Sequence, residues 1–219
     1  MTRLYRPALV AIALSACAMG GPGPRRGTVD ANDDEGELAD APRTSSTPDA
    51  PPASSCAQAF TGVLATWTLT GQAGNQASTP ASATAPGVTA AALTRSAGLT
   101  AVSGADSINA SGWPTANMAD LTKYYSFAVT PPAGCSLAIS SVSIDLARSG
   151  TGPALGALAT SSDNYAQQIL VSTNTASTPS LVASGGTMQL QIRIYGYMAS
   201  SAAGTLRLEN TLSLTGSLH

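Results

Sequence analysis

From about residue 60 onward the chain is built of short runs in which apolar and polar positions alternate. In VLATWTLTG, Val63, Ala65, Trp67 and Leu69 fall on one face, with Thr66 and Thr68 opposite and Leu64 the exception among them. KYYSFAVTP sets Tyr125, Phe127 and Val129 together and stops at Pro131-Pro132. SLAISSVSIDLARSG holds Leu137 and Ile139 in phase, then Val142, Ile144 and Leu146. The parity flips at Ser140-Ser141, which predicts a bulge or a bend between two strands. TMQLQIRIYGY alternates Met188, Leu190, Ile192 and Ile194 with Gln189, Gln191 and Arg193. GTLRLENTLSLTG does the same with Leu206, Leu208, Leu212 and Leu214, interrupted by Asn210. A period of two belongs to half-buried strands, and no window of comparable length carries a helical period. About eight to ten short strands punctuated by Gly and Pro predict an all-β domain over 56–219, an antiparallel β-sandwich or jelly roll. A chain segment of that length is able to bury a real core.

The first 55 residues follow other rules. MTRLYRPALVAIALSACAMGG begins with Arg3 and Arg6 and continues in an apolar run from Pro7 to Ala16. That run has the length of an export-signal core and is too short to span a bilayer, which needs roughly 20 apolar residues. Residues 1–16 are therefore expected to be a targeting segment. Leu14-Ser15-Ala16-Cys17 resembles the lipobox of bacterial lipoprotein precursors, where leucine and two small residues precede an obligatory cysteine. The resemblance implies cleavage before Cys17 and acylation of its thiol. Two or three acyl chains on one residue make a durable membrane anchor where a single chain does not. With Ala18 and not aspartate next, the resemblance implies delivery to the outer membrane. Ala16-Cys17-Ala18 also fits an ordinary secretory cleavage site, which would discard Cys17 and release a soluble protein. Residues 17–55 hold many Pro, Gly, Ser and Asp, with Val29 and Leu38 the only large aliphatics. That composition predicts a lipidated cysteine followed by a disordered spacer.

Charge is segregated along the chain. Seven acids lie in the spacer, whereas 56–219 holds Arg95, Lys123, Arg148, Arg193 and Arg207 against Asp106, Asp120, Asp145, Asp163 and Glu209. A domain so sparsely charged has no basic stripe to neutralise phosphates, which argues against nucleic acid as a partner. Cys56 and Cys135 form an even pair in an exported chain, and a disulfide between them is expected.

The domain also resembles jelly-roll-like modules of bacterial exported and surface proteins, through LTRSAGLT at 93–100, RSGTGP at 148–153 and the closing YGYMASSAAGTLRLENTLSLTG. The resemblance implies a fold and supplies no ligand set, and a fold alone does not give a function.

Chemistry is scarce. The single histidine is His219, and no P-loop, dinucleotide fingerprint or CxxC pair occurs. Asp145 and Glu209 are the acids to consider for a two-carboxylate hydrolase, although both fall among strand residues where a solvated charge is ordinary. No cofactor is required, but a structural calcium ion could use loop oxygens of Asp106 and Asn109 in GADSIN or of Asp163 and Asn164 in SSDNY. Such stretches also form turns through their own backbone. A sugar-binding surface would need exposed aromatic faces. Trp113 in the loop NASGWPTAN is the first candidate, its other reading being a plug that seals one end of the sandwich; Tyr165, Tyr195 and Tyr197 follow, whereas Trp67 belongs with the core. The expected protein is a membrane-tethered outer-membrane or cell-surface lipoprotein, or a secreted form of it. Its sandwich is read as a non-catalytic binding or adhesion module for a polysaccharide or a surface protein. The alternatives are a carboxylate-dependent hydrolase and a purely structural envelope protein.

Overall fold

The structure, a computed structural model, describes residues 56–219. The expected leader 1–16, the lipidation site Cys17 and the spacer 17–55 lie outside the described residues. The strands in chain order are β1 (Phe60–Thr68), β2 (Ala73–Gly74), β3 (Ser78–Thr79), β4 (Ala83–Thr84), β5 (Thr89–Arg95), β6 (Thr100–Ala101), β7 (Ser107–Ser111) and β8 (Tyr124–Thr130). They continue as β9 (Leu137–Arg148), β10 (Pro153–Thr160), β11 (Ile169–Val171), β12 (Ala176–Ser177), β13 (Ser180–Gly186), β14 (Leu190–Ala199), β15 (Leu206–Glu209) and β16 (Thr211–Leu218). One 3₁₀ turn, Ser161–Asp163, follows β10. Among the described residues no helix is long and apolar enough to cross a membrane.

Two sheets result, as the alternation predicts. The first runs β2-β7-β15-β9-β16-β1-β4, with β12 and β13 along the other edge of β9 and β6 beside β7. The second runs β11-β10-β14-β8-β5-β3. The long strands pair antiparallel, while the two-residue β2 joins β7 in parallel. The chain is an all-β sandwich.

Aromatic side chains join the two layers. Trp67 of β1 meets Phe127 of β8 edge-on at 5.0 Å, and its indole N–H donates to the Ala91 carbonyl at 3.0 Å. Tyr125 of β8 crosses in the opposite direction and donates its hydroxyl proton to the Leu206 carbonyl on β15. Buried indole and phenol groups retain a polar atom that needs a partner, and each of these finds one on the facing sheet. These bonds set the registration of the layers where apolar burial alone would leave it loose.

The first predicted face is corrected at one point. Val63 is 48 % exposed and Leu64 is fully buried, the reverse of the strict alternation. The β1–β16 register shifts between Val63 and Ala65, so a bulge places the extra residue there and moves Leu64 into the core. The parity flip at Ser140-Ser141 is likewise a bulge, and β9 continues through it as one strand. Thr215 pairs with Ser141 and Gly216 with Ile139, so Ser140 is left over. A Cβ on Gly216 would lie 2.2 Å from the Ala138 carbonyl oxygen, which leaves no space for any other residue beside the bulge. Met188, expected in phase with Leu190, is exposed in the turn before β14. Asn210 interrupts the apolar face by adopting φ 57°, which separates β15 from β16 along β9.

The expected disulfide forms between Cys56 and Cys135, 79 positions apart, and ties the approach to β1 to the β8–β9 connection. Phe60 at the start of β1 pairs with Leu218 at the end of β16, and His219 exchanges two backbone hydrogen bonds with Ser136. His219 is thus held in place at its backbone.

Candidate tyrosine and arginine groove

The inner face of β14 is Leu190, Ile192 and Ile194, so Gln191, Arg193, Tyr195 and Tyr197 share its outer face. Register places Arg193 between Ser126 and Ala159, and Tyr195 between Tyr124 and Ala157. Ala128, Ala157, Ala159, Tyr195 and Tyr197 are buried yet stand apart from the main core. Small residues on β8 and β10 therefore make a floor on which the larger β14 side chains lie.

Two connections cover part of this face. After β10, the 3₁₀ turn leads into Asn164 and Tyr165, both with positive φ (57° and 62°). Two successive left-handed residues, one of them aromatic, are an uncommon conformation. It is secured by the Tyr165 N–H donating to Thr160 at 2.8 Å and by the Asp163 carboxylate accepting from the Gln167 N–H at 2.8 Å. The result turns the Tyr165 ring back over β14. The second connection follows β7, where the Met198 N–H donates to Ala116 and the Ala199 N–H to Pro114.

The Arg193 guanidinium carbon lies over two rings, 3.7 Å from the Tyr165 centroid and 4.1 Å from that of Tyr124. Its Nε donates to Gln191 Oε1 at 3.2 Å, and the Tyr165 hydroxyl donates to the same oxygen. Tyr124 and Tyr195 pack edge-on at 6.0 Å. The Tyr195 hydroxyl is buried beside Arg193. Burial raises the Tyr165 and Tyr195 phenols above the ordinary tyrosine range, and hydrogen bonding from Arg193 together with its charge partly offsets this. Beyond Tyr195 the face opens into a groove of about 390 Å³ lined by Tyr197, Gln168, Asn117, Met118, Ala119 and Leu121. Met118 and Leu121 on its wall are 71 % and 54 % exposed. Strand rise puts Arg193 and Tyr197 about 13 Å apart along β14.

The structure thus brings Tyr165, Tyr195 and Tyr197 to one face, where Tyr197 lines the groove, and removes the fully buried Tyr195 and Trp113 from the set of surface candidates. Trp113 is 1 % exposed, stacks edge-on against Tyr125 at 5.3 Å and donates to the Ala110 carbonyl at 2.8 Å. It fills the core under the β7 end and has no ring face to offer a ligand. Tyr124, Gln191 and Arg193 were missed as site residues. Their signal lay in the period of two, which already put Gln191 and Arg193 in phase with Tyr195 and Tyr197.

The remaining candidates bond to their own surroundings, except that Asn109 Oδ1 and Asp163 Oδ1 are buried without a partner. Asp106, at φ 57°, accepts from the Gly71 N–H at 2.7 Å, and Asn109 is buried on β7, donating to the Ser103 carbonyl at 3.0 Å. Asp163 and Asn164 shape the turn after β10, in the other sheet. Among the described residues no group of three or more His, Cys, Asp or Glu side chains is placed to hold a metal ion. Asp145 accepts from the Asn210 amide at 2.6 Å, and Glu209 pairs with Arg207 at 3.1 Å. Neither carboxylate lines the groove. No family model matches the chain, and neither does any curated protein or solved structure.

Proposed function

We propose that the protein is a surface lipoprotein whose sandwich binds an extended glycan along the outer face of the second sheet. The observation that carries this reading is the open groove at Tyr197, edged by the amides of Asn117 and Gln168, with Arg193 and the half-buried rings of Tyr124 and Tyr165 further along the same face. Planar phenols and side-chain amides suit sugar rings and their hydroxyls, and a shallow open groove suits a chain passing over it. The lipobox-like LSAC at 14–17 supports attachment through Cys17, with delivery to the outer membrane. The acidic segment that follows would then space the sandwich from the lipid surface.

Two experiments test the two halves. Labelled palmitate fed to expressing bacteria is expected to enter the wild type and not Cys17→Ser; incorporation into neither removes the anchor. Titration of the purified protein with a panel of envelope and extracellular polysaccharides is expected to give saturable binding, weakened several-fold by Tyr197→Ala. Absence of binding across the panel defeats the glycan reading and leaves a protein ligand or a structural role.

A further inference from the structure

We infer that the groove at Tyr197 takes an acetamido sugar, its acetyl methyl against Met118 and Leu121 and its amide against Asn117 and Gln168. This rests on the glycan reading above and deepens it. Two connections converge on β14 to form the groove. Asn117, Met118, Ala119 and Leu121 come from the one after β7, and Gln168 comes from the one after β10. At about 390 Å³ the space is at the small end of ligand clefts, enough for one residue of a chain with its substituent. Tyr197 is 6 % exposed, so it gives little ring face on which a pyranose can stack. What the groove offers instead is methyl groups and amides. Met118 and Leu121 are more than half exposed, and the apolar surface continues through Leu155, the register neighbour of Tyr197, to Leu170 beside Ala157. The amides of Asn117 and Gln168 are exposed as well. The two charges of the connection after β7 are engaged within it. Asp120 accepts from the Thr122 N–H at 2.9 Å and from its hydroxyl at 2.7 Å, and Lys123 donates to the Gly112 carbonyl at 2.7 Å.

A sugar bearing only hydroxyls would turn some of them against Met118, Leu121 and Ala119, where each loses water without gaining a partner. An acetamido group meets the same wall with a methyl, which gains by burial. Its N–H and C=O need an acceptor and a donor close together, and an Asn or Gln amide carries both. With Asp120 and Lys123 held by their own connection, neither an amine nor a carboxylate in its place finds a free counter-charge.

The test titrates the full-length protein with four hexasaccharides that share one backbone: chitin hexasaccharide, its N-formyl counterpart, chitosan hexasaccharide and cellohexaose. The polysaccharides of the panel above are titrated beside them. Chitin hexasaccharide is expected to bind at least roughly tenfold more tightly than cellohexaose, the sum of one buried methyl and one amide contact. The N-formyl form, which keeps the amide and lacks the methyl, is expected to bind about fourfold more weakly than the N-acetyl form. Leu121→Ser and Met118→Ser alter exposed side chains, so Tm should hold while the N-acetyl over N-formyl preference disappears. Asn117→Ala is expected to weaken both amide-bearing forms alike. Cellohexaose, or any panel polysaccharide without acetamido groups, binding as tightly as chitin hexasaccharide overturns the acetamido assignment while the glycan reading stands. Tighter binding of chitosan overturns it in favour of an amine beside Asp120. Binding to no hexasaccharide and to no panel polysaccharide overturns both readings.

Discussion

Trp113→Ala removes a ring that is 1 % exposed, packed edge-on against Tyr125 and hydrogen-bonded to Ala110. Truncating a buried tryptophan costs about 3–5 kcal/mol in lost burial and residual cavity. Within that sum the aromatic pair contributes about 1 kcal/mol and the indole N–H a similar amount. The void cannot easily collapse, because Gly196 backs onto the same ring: a Cβ there would lie 3.1 Å from Trp113 Cε3. For a domain of this size each kcal/mol moves Tm by about 2–4 °C, so the expected drop is roughly 6–20 °C. Calorimetry measures it, and urea titration provides an independent free energy through the shift in midpoint at constant slope. Trp113→Phe keeps the ring contact and loses the N–H, and is expected to cost about 1–2 kcal/mol. Glycan affinity of the surviving folded fraction should be unchanged. A Trp113→Ala protein with Tm within about 2 °C of wild type and impaired binding would refute the packing argument and return Trp113 to the surface.

The Cys56–Cys135 bond closes a loop spanning 79 positions, and in the chain-entropy model its loss as the double alanine variant costs about 4.5 kcal/mol, measured by urea unfolding. Leu64→Ala is expected to cost about 2–5 kcal/mol and Val63→Ala less than about 0.5, so equal losses would disprove the bulge between them. Tyr125 is fully buried, and burial raises its phenol far above the ordinary range. The unfolded chain therefore loses that proton near pH 10 while the folded chain keeps it, so stability is full below pH 10 and falls above it. Each such tyrosine contributes about 1.4 kcal/mol per pH unit. Absorbance at alkaline pH should show Tyr125 ionising only on unfolding, and Tyr125→Phe should flatten the decline.

Much of the sandwich was legible because long strands with one buried face repeat every second residue. The two-residue pairings of β2, β3, β4, β6 and β12 carry too few side chains to show a period. β10, PALGALAT, hid for another reason: it is covered on both faces, Leu158 toward the core and Ala157 and Ala159 under the β14 aromatics. Of the two readings of Trp113 the plug at the end of the sandwich holds: Gly112 and Pro114 mark a loop, and a loop residue points inward when an indole N–H finds a carbonyl three residues back. The groove was half legible. Tyr195 and Tyr197 stood out as aromatics, but the stacking of Tyr124 and Tyr165 on Arg193 depends on strand neighbours and on a left-handed turn, neither of which a local pattern reveals.

The disulfide has a mechanical consequence. Cys56 precedes β1, and its partner Cys135 lies between β8 and β9. Tension arriving from the N-terminal side passes through the sulfur–sulfur bond to that connection before it reaches the ladder between β1 and β16. β8 borders β14, so a pull between the N-terminal side and the second sheet would run along a short covalent and cross-strand route. β1 could then stay paired under shear that would otherwise peel it from β16, and a reductant would convert a stiff attachment into one that yields strand by strand.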